Sequence, residues 1–153
     1  MKKHLIAICI LLGMVSMQLI MAASPYLPTN YEEPYRPQFH FSQQSGWMND
    51  INGLWYHDGI YYMTYQTTPN SPVFDFAHTS WGMATSPDMI HWTQKPVIAE
   101  PNALEGTPMS GSAVVDENNT SGLQTGTNPV FIVIYTSEKT GQCLLYSNDL
   151  GVT

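Results

Sequence analysis

Positively charged residues are scarce in this chain. Its 153 residues include five Lys and Arg against twelve Asp and Glu, and two of the five, Lys2 and Lys3, stand at the N-terminus. The remainder therefore has three basic and twelve acidic residues, a formal charge of −9. Such a chain repels the phosphates of nucleic acids and offers no basic patch to anionic lipids. The charge excludes nucleic acid as a partner and favours a neutral ligand.

Cysteine is also scarce. The chain has two, Cys9 and Cys143, and Cys9 lies in a segment that we expect to be removed, so no disulfide within the chain is expected. No His and Cys residues have the spacing of a zinc site, and we expect neither a metal nor a cofactor. Cys143 lies in an apolar run, where a lone cysteine is typically a core residue. Packing must therefore stabilise the fold.

One long apolar run stands at the N-terminus. Residues 5–21 are almost wholly apolar, two lysines precede them, and Ala22-Ala23-Ser24 follow. This order predicts a secretory signal peptide at 1–23. The alternative is a membrane anchor, which needs roughly 20 apolar residues. We therefore expect a secreted or periplasmic protein that is free of the membrane after cleavage.

The rest of the chain is predicted to be all-β. Residues 24–38, rich in Pro, Tyr and Glu, are predicted as an extended segment that leads into a domain at 39–153. No sustained apolar period of 3.6 residues follows, which excludes a long helix. The Asp58-Gly59 step between two short apolar runs is a strong hairpin signal. The strands are predicted at 54–56, 60–66, 80–85, 91–97, 112–116, 129–136 and 142–147.

Two segments of the chain resemble each other. Ser86-Pro87-Asp88 and Ser147-Asn148-Asp149 share the pattern Ser-x-Asp, each follows a predicted strand, and they start 61 residues apart, at 86 and 147. A repeat of that length, with three or four strands in each unit, is typical of the blades of a β-propeller. A β-structure that stops within the second copy has unpaired strand edges. We therefore interpret the chain as part of a longer propeller.

The most informative stretch is Trp47-Met48-Asn49-Asp50-Ile51-Asn52-Gly53, directly before the first predicted strand. It combines several polar residues with a bulky aromatic one, which is unusual in that position. From the residues alone, Asp50 and Asn52 either shape a turn, as Asx residues often do, or belong to a functional site.

This stretch resembles the Trp-Met-Asn-Asp-Pro-Asn-Gly signature of glycoside hydrolase family 32, which contains invertases, levanases and inulinases. Further blocks resemble the family in the same order along the chain, and they cover nearly all of it after the predicted signal peptide. These blocks are 36–41, 65–66, 81–92, 110–116, 119–122, 135–137 and 146–151.

The resemblance implies a five-bladed β-propeller, of which this chain holds the first blade and most of the second. It also implies a retaining hydrolase that cleaves β-fructofuranosidic bonds in sucrose, levan or inulin with two carboxyl groups. Asp50 matches the nucleophile, which would attack the anomeric carbon of fructose and form a covalent fructosyl-enzyme. A neutral fructose-containing saccharide is the implied partner.

The resemblance implies further substrate-binding residues. Asn49 and Gln66 match ligands of the fructose hydroxyls, and Ser110 matches a small polar residue in a Phe-Ser-Gly block of the family. Trp47 is a candidate platform for the sugar ring. Phe74 takes the place of a family tryptophan, within a segment that diverges from the family.

Two blocks of the family are missing from the sequence. One is an Arg-Asp-Pro block whose Asp stabilises the transition state, and the other is a Glu-Cys block whose Glu is the general acid/base. The only arginine, Arg36, lies in a different block, and the residue directly before Cys143 is Gln142 and not Glu. We expect both blocks beyond Thr153. The chain also has Ile51 where the signature has proline, which removes a fixed φ beside the nucleophile.

Two alternative functions match parts of the sequence. The pattern Ser-x-Asp-x-Gly-x-Thr at 147–153 resembles an Asp-box of a sialidase-like propeller hydrolase. That alternative leaves 47–53 unexplained and needs an arginine cluster that the sequence lacks. The other alternative is a non-catalytic sugar-binding propeller, in which Asp50 and Gln66 only hold hydroxyl groups.

We predict that the 153-residue chain alone has no measurable fructosidase activity. General acid catalysis typically contributes ~10²–10⁴-fold, and the acid is expected outside this sequence. Incubation of the purified chain with sucrose, inulin and levan should release no reducing sugar above a buffer control. Release at a rate near that of a complete enzyme of the family would contradict the prediction.

Overall fold

A computed structural model describes residues 29–152. The predicted signal peptide at 1–23 and the first part of the segment 24–38 lie outside the described residues, so both stay predictions. Residues 29–38 form bends and a turn, which is closed by a 3.1 Å hydrogen bond from Arg36 N to Glu33 O. No helix among the described residues has the length and apolar character needed to cross a membrane.

The described residues contain seven strands and one short 3-10 helix, which confirms the all-β prediction. The elements are β1 (Trp47–His57), β2 (Ile60–Thr68), the 3-10 helix Phe76–His78, β3 (Ser80–Ser86), β4 (Thr93–Ala99), β5 (Pro108–Asp116), β6 (Val130–Ser137) and β7 (Gly141–Ser147). β1 and β5 begin earlier than predicted, at Trp47 and Pro108. Their first residues, Trp47-Met48-Asn49-Asp50 and Pro108-Met109-Ser110-Gly111, lack the alternating apolar pattern of a strand, and pairing with β2 and β6 extends both strands.

The strands form two antiparallel sheets. One has the order β1-β2-β3-β4 and the other β5-β6-β7. The Asp58-Gly59 turn between β1 and β2 has positive φ at both residues, 46° and 82°, as a two-residue hairpin requires. All neighbouring strands of the first sheet are antiparallel. The start of β1, the end of β2, the start of β3 and the end of β4 therefore lie at the same end of the sheet.

The repeat predicted from the sequence is also a repeat of structure. Ser86 ends β3 and Ser147 ends β7, the third strand of each sheet. Each serine Oγ donates to Oδ1 of the aspartate two residues later, at 3.1 Å in the first copy and 2.5 Å in the second. In both copies the residue after the aspartate has a positive φ, 64° at Met89 and 61° at Leu150.

The two sheets pack together through a shared core. Trp81 and Ala99 of the first sheet pack with three apolar residues of β6, which are Phe131, Val133 and Tyr135. Trp81 is fully buried, and its Nε1 donates to the backbone oxygen of Met109 at 2.9 Å. This indole is therefore a core residue that ties the first sheet to β5.

The first strands of the two sheets, β1 and β5, approach each other closely. A Cβ atom on Gly53 would lie 2.4 Å from Cβ and 2.9 Å from N of Ala113, so only glycine allows this approach. At the far end of the two strands, His57 Nδ1 and Glu117 Oε1 lie 2.9 Å apart. We call this line of contacts between β1 and β5 the seam.

The opposite face of the first sheet is covered by the chain before β1. The ring of Phe41 lies 5.1 Å from Tyr65 and 6.1 Å from Trp92, measured between centroids. The Arg36 guanidinium donates to the backbone oxygens of Gln43 at 2.8 Å and Gln44 at 3.0 Å. Arg36 therefore holds this covering segment in place.

We predict that Gly53→Ala lowers the free energy of unfolding by about 1–3 kcal/mol, the usual cost of overpacking, because β1 and β5 must move apart. Gly126→Ala is the matched control, since nothing lies within 4 Å of a Cβ at that position. Denaturant unfolding of the full-length protein measures both changes. Equal effects of the two substitutions would contradict the prediction.

Candidate active site

The polar stretch at 47–53 forms an irregular start of β1. Met48 pairs with Thr67 and Gly53 pairs with Thr64, so five steps along β1 oppose three along β2. Extra residues in one strand produce β-bulges, which bend the strand and redirect its side chains. The residues without a partner in the ladder are Asn49, Asp50 and Asn52.

Asp50 and Ser110 meet across the seam. Ser110 Oγ donates to Asp50 Oδ2 at 2.8 Å, although the two residues are 60 positions apart in the chain. Both residues are exposed. A hydrogen bond to a carboxylate is charge-assisted and stronger than a neutral one, so it holds the Asp50 carboxylate in one orientation while leaving it open to a ligand.

Asn52 positions the strand that carries Ser110. Its side chain is buried, and its Oδ1 accepts a hydrogen bond from Gly111 N at 3.4 Å. Gly111 in turn has no room for a side chain, because a Cβ would lie 2.0 Å from the backbone oxygen of Ile134. We did not predict this role from the sequence. The only indication in the sequence is the position of Asn52 within the polar stretch 47–53, and that position is equally compatible with a residue that shapes a turn.

Gln66 lies opposite the bulge of β1. Its neighbours in β2, Thr67 and Tyr65, pair with Met48 and Ile51, so Gln66 faces the unpaired part of β1. The residue is 3 % exposed, and its Nε2 has no hydrogen-bond partner among the described residues. An unsatisfied buried donor costs ~1–3 kcal/mol, which a ligand hydroxyl would offset by accepting this hydrogen bond.

Trp47 and Phe74 form an aromatic pair at the start of β1. Their ring centroids lie 5.0 Å apart, and the planes are tilted by 58°. Trp47 is half-buried and Phe74 is 48 % exposed. Trp47 N also donates to the backbone oxygen of Ser71 at 2.7 Å, which attaches the loop after β2 to β1.

The structure therefore groups the six predicted site residues at the start of β1. Asp50 contacts Ser110, Gln66 faces the bulge that contains Asn49, and Trp47 contacts Phe74. The roles assigned to these residues stay predictions. In the range 29–152, no group of three or more His, Cys, Asp and Glu side chains could hold a metal ion.

Several other carboxylates are engaged in turns. Asp88 accepts hydrogen bonds from the backbone N of His91 and Ile90 and from the His91 ring, and these bonds lower the pKa of Asp88. Asp116 accepts from the backbone N of Ser121 and Thr120, which lowers the pKa of Asp116. Asp88, the aspartate of the first Ser-x-Asp copy, and Asp116 therefore both shape turns.

A carboxylate also joins the β4–β5 loop to β6. Glu105 Oε2 accepts a hydrogen bond from the Tyr135 hydroxyl at 2.8 Å and another from Asn102 Nδ2 at 3.1 Å. The Tyr135 bond is the main cause of a lowered pKa of Glu105. Burial, followed by the Glu105 contact, raises the pKa of Tyr135. This pair fixes the loop beside the start of β5.

Comparisons with known proteins identify the family of this chain. The sequence profile of the glycosyl hydrolases family 32 N-terminal domain matches residues 40–153. The levanase of Bacillus subtilis (strain 168) is 42% identical over 156 residues, which cover 100% of this chain and 22% of the levanase. The extracellular exo-inulinase of Aspergillus niger is 40% identical over 144 residues, which cover 81% of this chain and 26% of the inulinase.

Solved structures show the same fold. The crystal structure of exo-inulinase from Aspergillus awamori has a TM-score of 0.71 at 36% identity, covering 82% of this chain and 28% of the inulinase. The fructofuranosidase from Schwanniomyces occidentalis complexed with fructose has a TM-score of 0.72 at 34% identity, covering 82% of this chain and 26% of that protein.

The two sheets are therefore the first blade and most of the second blade of a five-bladed β-propeller, the fold of these glycosidases. The chain belongs to glycoside hydrolase family 32, as its resemblance to the family predicted. It spans about a quarter of the length of the relatives described.

On the hypothesis that Asp50 is the nucleophile of a fructosidase, we predict that Ser110→Ala lowers kcat for sucrose in the full-length protein about 10–100-fold, since hydrogen bonds to charged groups are worth ~1.5–3 kcal/mol. Ser112→Ala, two residues further along β5, is the matched control and should leave kcat within twofold. Steady-state kinetics and melting temperatures are measured on both variants. An equal loss of kcat in the control would show that Ser110 does not act through Asp50.

Proposed function

We propose that the full-length protein is a retaining glycoside hydrolase that cleaves β-fructofuranosidic bonds in sucrose, levan or inulin, with Asp50 as the nucleophile. The observation that carries this proposal is the hydrogen bond from Ser110 Oγ to Asp50 Oδ2. It joins two residues that match the family at distant positions of the chain. It also orients an exposed carboxylate beside a bulge with further polar groups.

The proposed reaction begins at Asp50. One carboxylate oxygen forms a bond to the anomeric carbon of fructose while the bond from that carbon to the leaving-group oxygen breaks. A general acid gives its proton to the leaving oxygen, and water later hydrolyses the fructosyl-enzyme with the same group as base. That second carboxyl group belongs to the Glu-Cys block of the family, which the present sequence does not contain.

Substrate binding is assigned to the surrounding residues. The buried Gln66 Nε2 lacks a described partner and is suited to donate to a fructose hydroxyl. Asn49 is exposed beside Asp50 and supplies both a donor and an acceptor. The rings of Trp47 and Phe74 supply the apolar surface that sugar sites combine with a few polar groups.

The relatives support a fructose-containing saccharide as the partner and an exported protein. The exo-inulinase of Aspergillus niger is named as extracellular, and the fructofuranosidase of Schwanniomyces occidentalis was solved with fructose bound. A neutral saccharide also agrees with the acidic charge of the chain. We propose export through the signal peptide at 1–23.

We predict that Asp50→Asn in the full-length protein lowers kcat by roughly 10⁴-fold or more, the scale observed for lost nucleophiles. The shape of the residue is nearly unchanged, and Asn49 and Gln66 still bind fructose, so KM should change little. Asp58→Asn, in the exposed hairpin turn at the other end of β1, is the matched control and should keep the wild-type kcat.

Kinetics and melting temperature must be measured on the same preparations. A turn-shaping Asp50 would give a lower melting temperature with activity per folded molecule retained. Turnover of sucrose or fructan within tenfold of wild type would exclude Asp50 as the nucleophile. Tight saccharide binding without turnover by the wild-type protein would favour a non-catalytic sugar-binding propeller.

A further inference from the structure

A row of three aromatic rings leads away from the start of β1. The centroids of Trp47 and Phe74 lie 5.0 Å apart, and those of Phe74 and Phe76 lie 6.4 Å apart. Phe74 is 48 % exposed and Phe76 is 44 % exposed. The row begins three residues before Asp50, so it continues from the candidate active site onto the surface.

The outer ring of this row stands on a fixed backbone. Asp75 caps the 3-10 helix by accepting from Ala77 N at 3.1 Å, and its backbone oxygen accepts from Thr79 Oγ1 at 2.9 Å. The backbone oxygen of Phe76 accepts from Thr107 Oγ1 at 3.0 Å, next to the start of β5. An exposed ring held in this way is preorganised, which lowers the entropic cost of binding a ligand.

The segment that carries the 3-10 helix also lines a cleft. A cleft of about 670 Å³ is lined by residues that include Ser71, Asp75, His78 and Glu100. Its walls come from the end of β2, the start of β3 and the end of β4. These strand termini lie at the same end of the sheet as Trp47. The cleft therefore opens at the same end of the blade as the candidate active site.

A second cleft continues beyond Phe76. It has a volume of about 320 Å³, and Phe76 lines it together with Thr107, Glu138 and Lys139. Ala77 and Pro101 line both clefts, so the two adjoin at the 3-10 helix. A rigid exposed ring on the wall of one cleft and next to another combines an apolar platform with polar lining groups, the composition expected of a sugar-binding site.

We propose that Phe76 and the two adjoining clefts form an outer subsite for a neutral β-fructan chain, occupied by fructose units beyond those held at Asp50 and at the Trp47–Phe74 pair. This inference rests on the proposed function and specifies its substrate class as polymeric fructan. Sucrose has only two sugar units, which the inner positions accommodate. The outer subsite therefore contributes to binding of inulin and levan but not of sucrose.

The test compares long and short substrates with the full-length protein. Phe76→Ala should lower kcat/KM about tenfold for inulin or levan, mainly through KM, while kcat/KM for sucrose stays within twofold. Phe76→Tyr keeps an aromatic face and should retain the wild-type values for all three. Ile90→Ala is the matched control, because Ile90 is 65 % exposed in the β3–β4 turn, at the opposite end of the sheet.

Calorimetric titration with inulin oligosaccharides in the Asp50→Asn background separates this proposal from the proposed function. Weaker binding after Phe76→Ala supports the subsite even if the wild-type protein cleaves no fructoside. Several outcomes would overturn the subsite. These are equal losses on sucrose and fructan, unchanged kinetics and binding, or a lowered melting temperature with both substrates unaffected, which would mean that other protein covers the ring.

Discussion

The close contact of β1 with β5 is the constraint on which the described fold and its candidate site both depend. Gly53 lets the two strands approach, and a Cβ there would lie 2.4 Å from Ala113 Cβ. The same approach allows Ser110 to reach Asp50 at 2.8 Å. Trp81 adds a hydrogen bond to the backbone of Met109 within the shared core. One packing interface therefore creates the geometry of the candidate site and stabilises the pair of blades.

The irregular start of β1 sets the directions of its polar side chains. A regular strand would alternate its side chains between the two faces of the sheet, and would give Asn49, Asp50 and Asn52 fixed alternating directions. The two extra residues of β1 break that alternation. The result is an exposed carboxylate at Asp50 beside a buried amide at Asn52 that holds the backbone of Gly111. The local cost is an incomplete ladder and buried donors without described partners.

Much of the fold could be predicted from the sequence, because strands, turns and the Ser-x-Asp repeat are local patterns. The Asp58-Gly59 hairpin and the turns after Ser86 and Ser147 depend on a few neighbouring residues. The contact between Asp50 and Ser110 joins residues 60 positions apart, and only the resemblance to the family brought them into one site. The role of Asn52 escaped prediction because its partner is a backbone amide in the other sheet.

The hydrogen bond between Asp50 and Ser110 makes the orientation of the Asp50 carboxylate depend on the angle between the two blades. Each partner belongs to a different sheet, so a tilt of one blade against the other would change the direction of the carboxylate. The core around Trp81, which joins the two sheets, therefore bears on the geometry of the candidate site as well as on the stability of the fold.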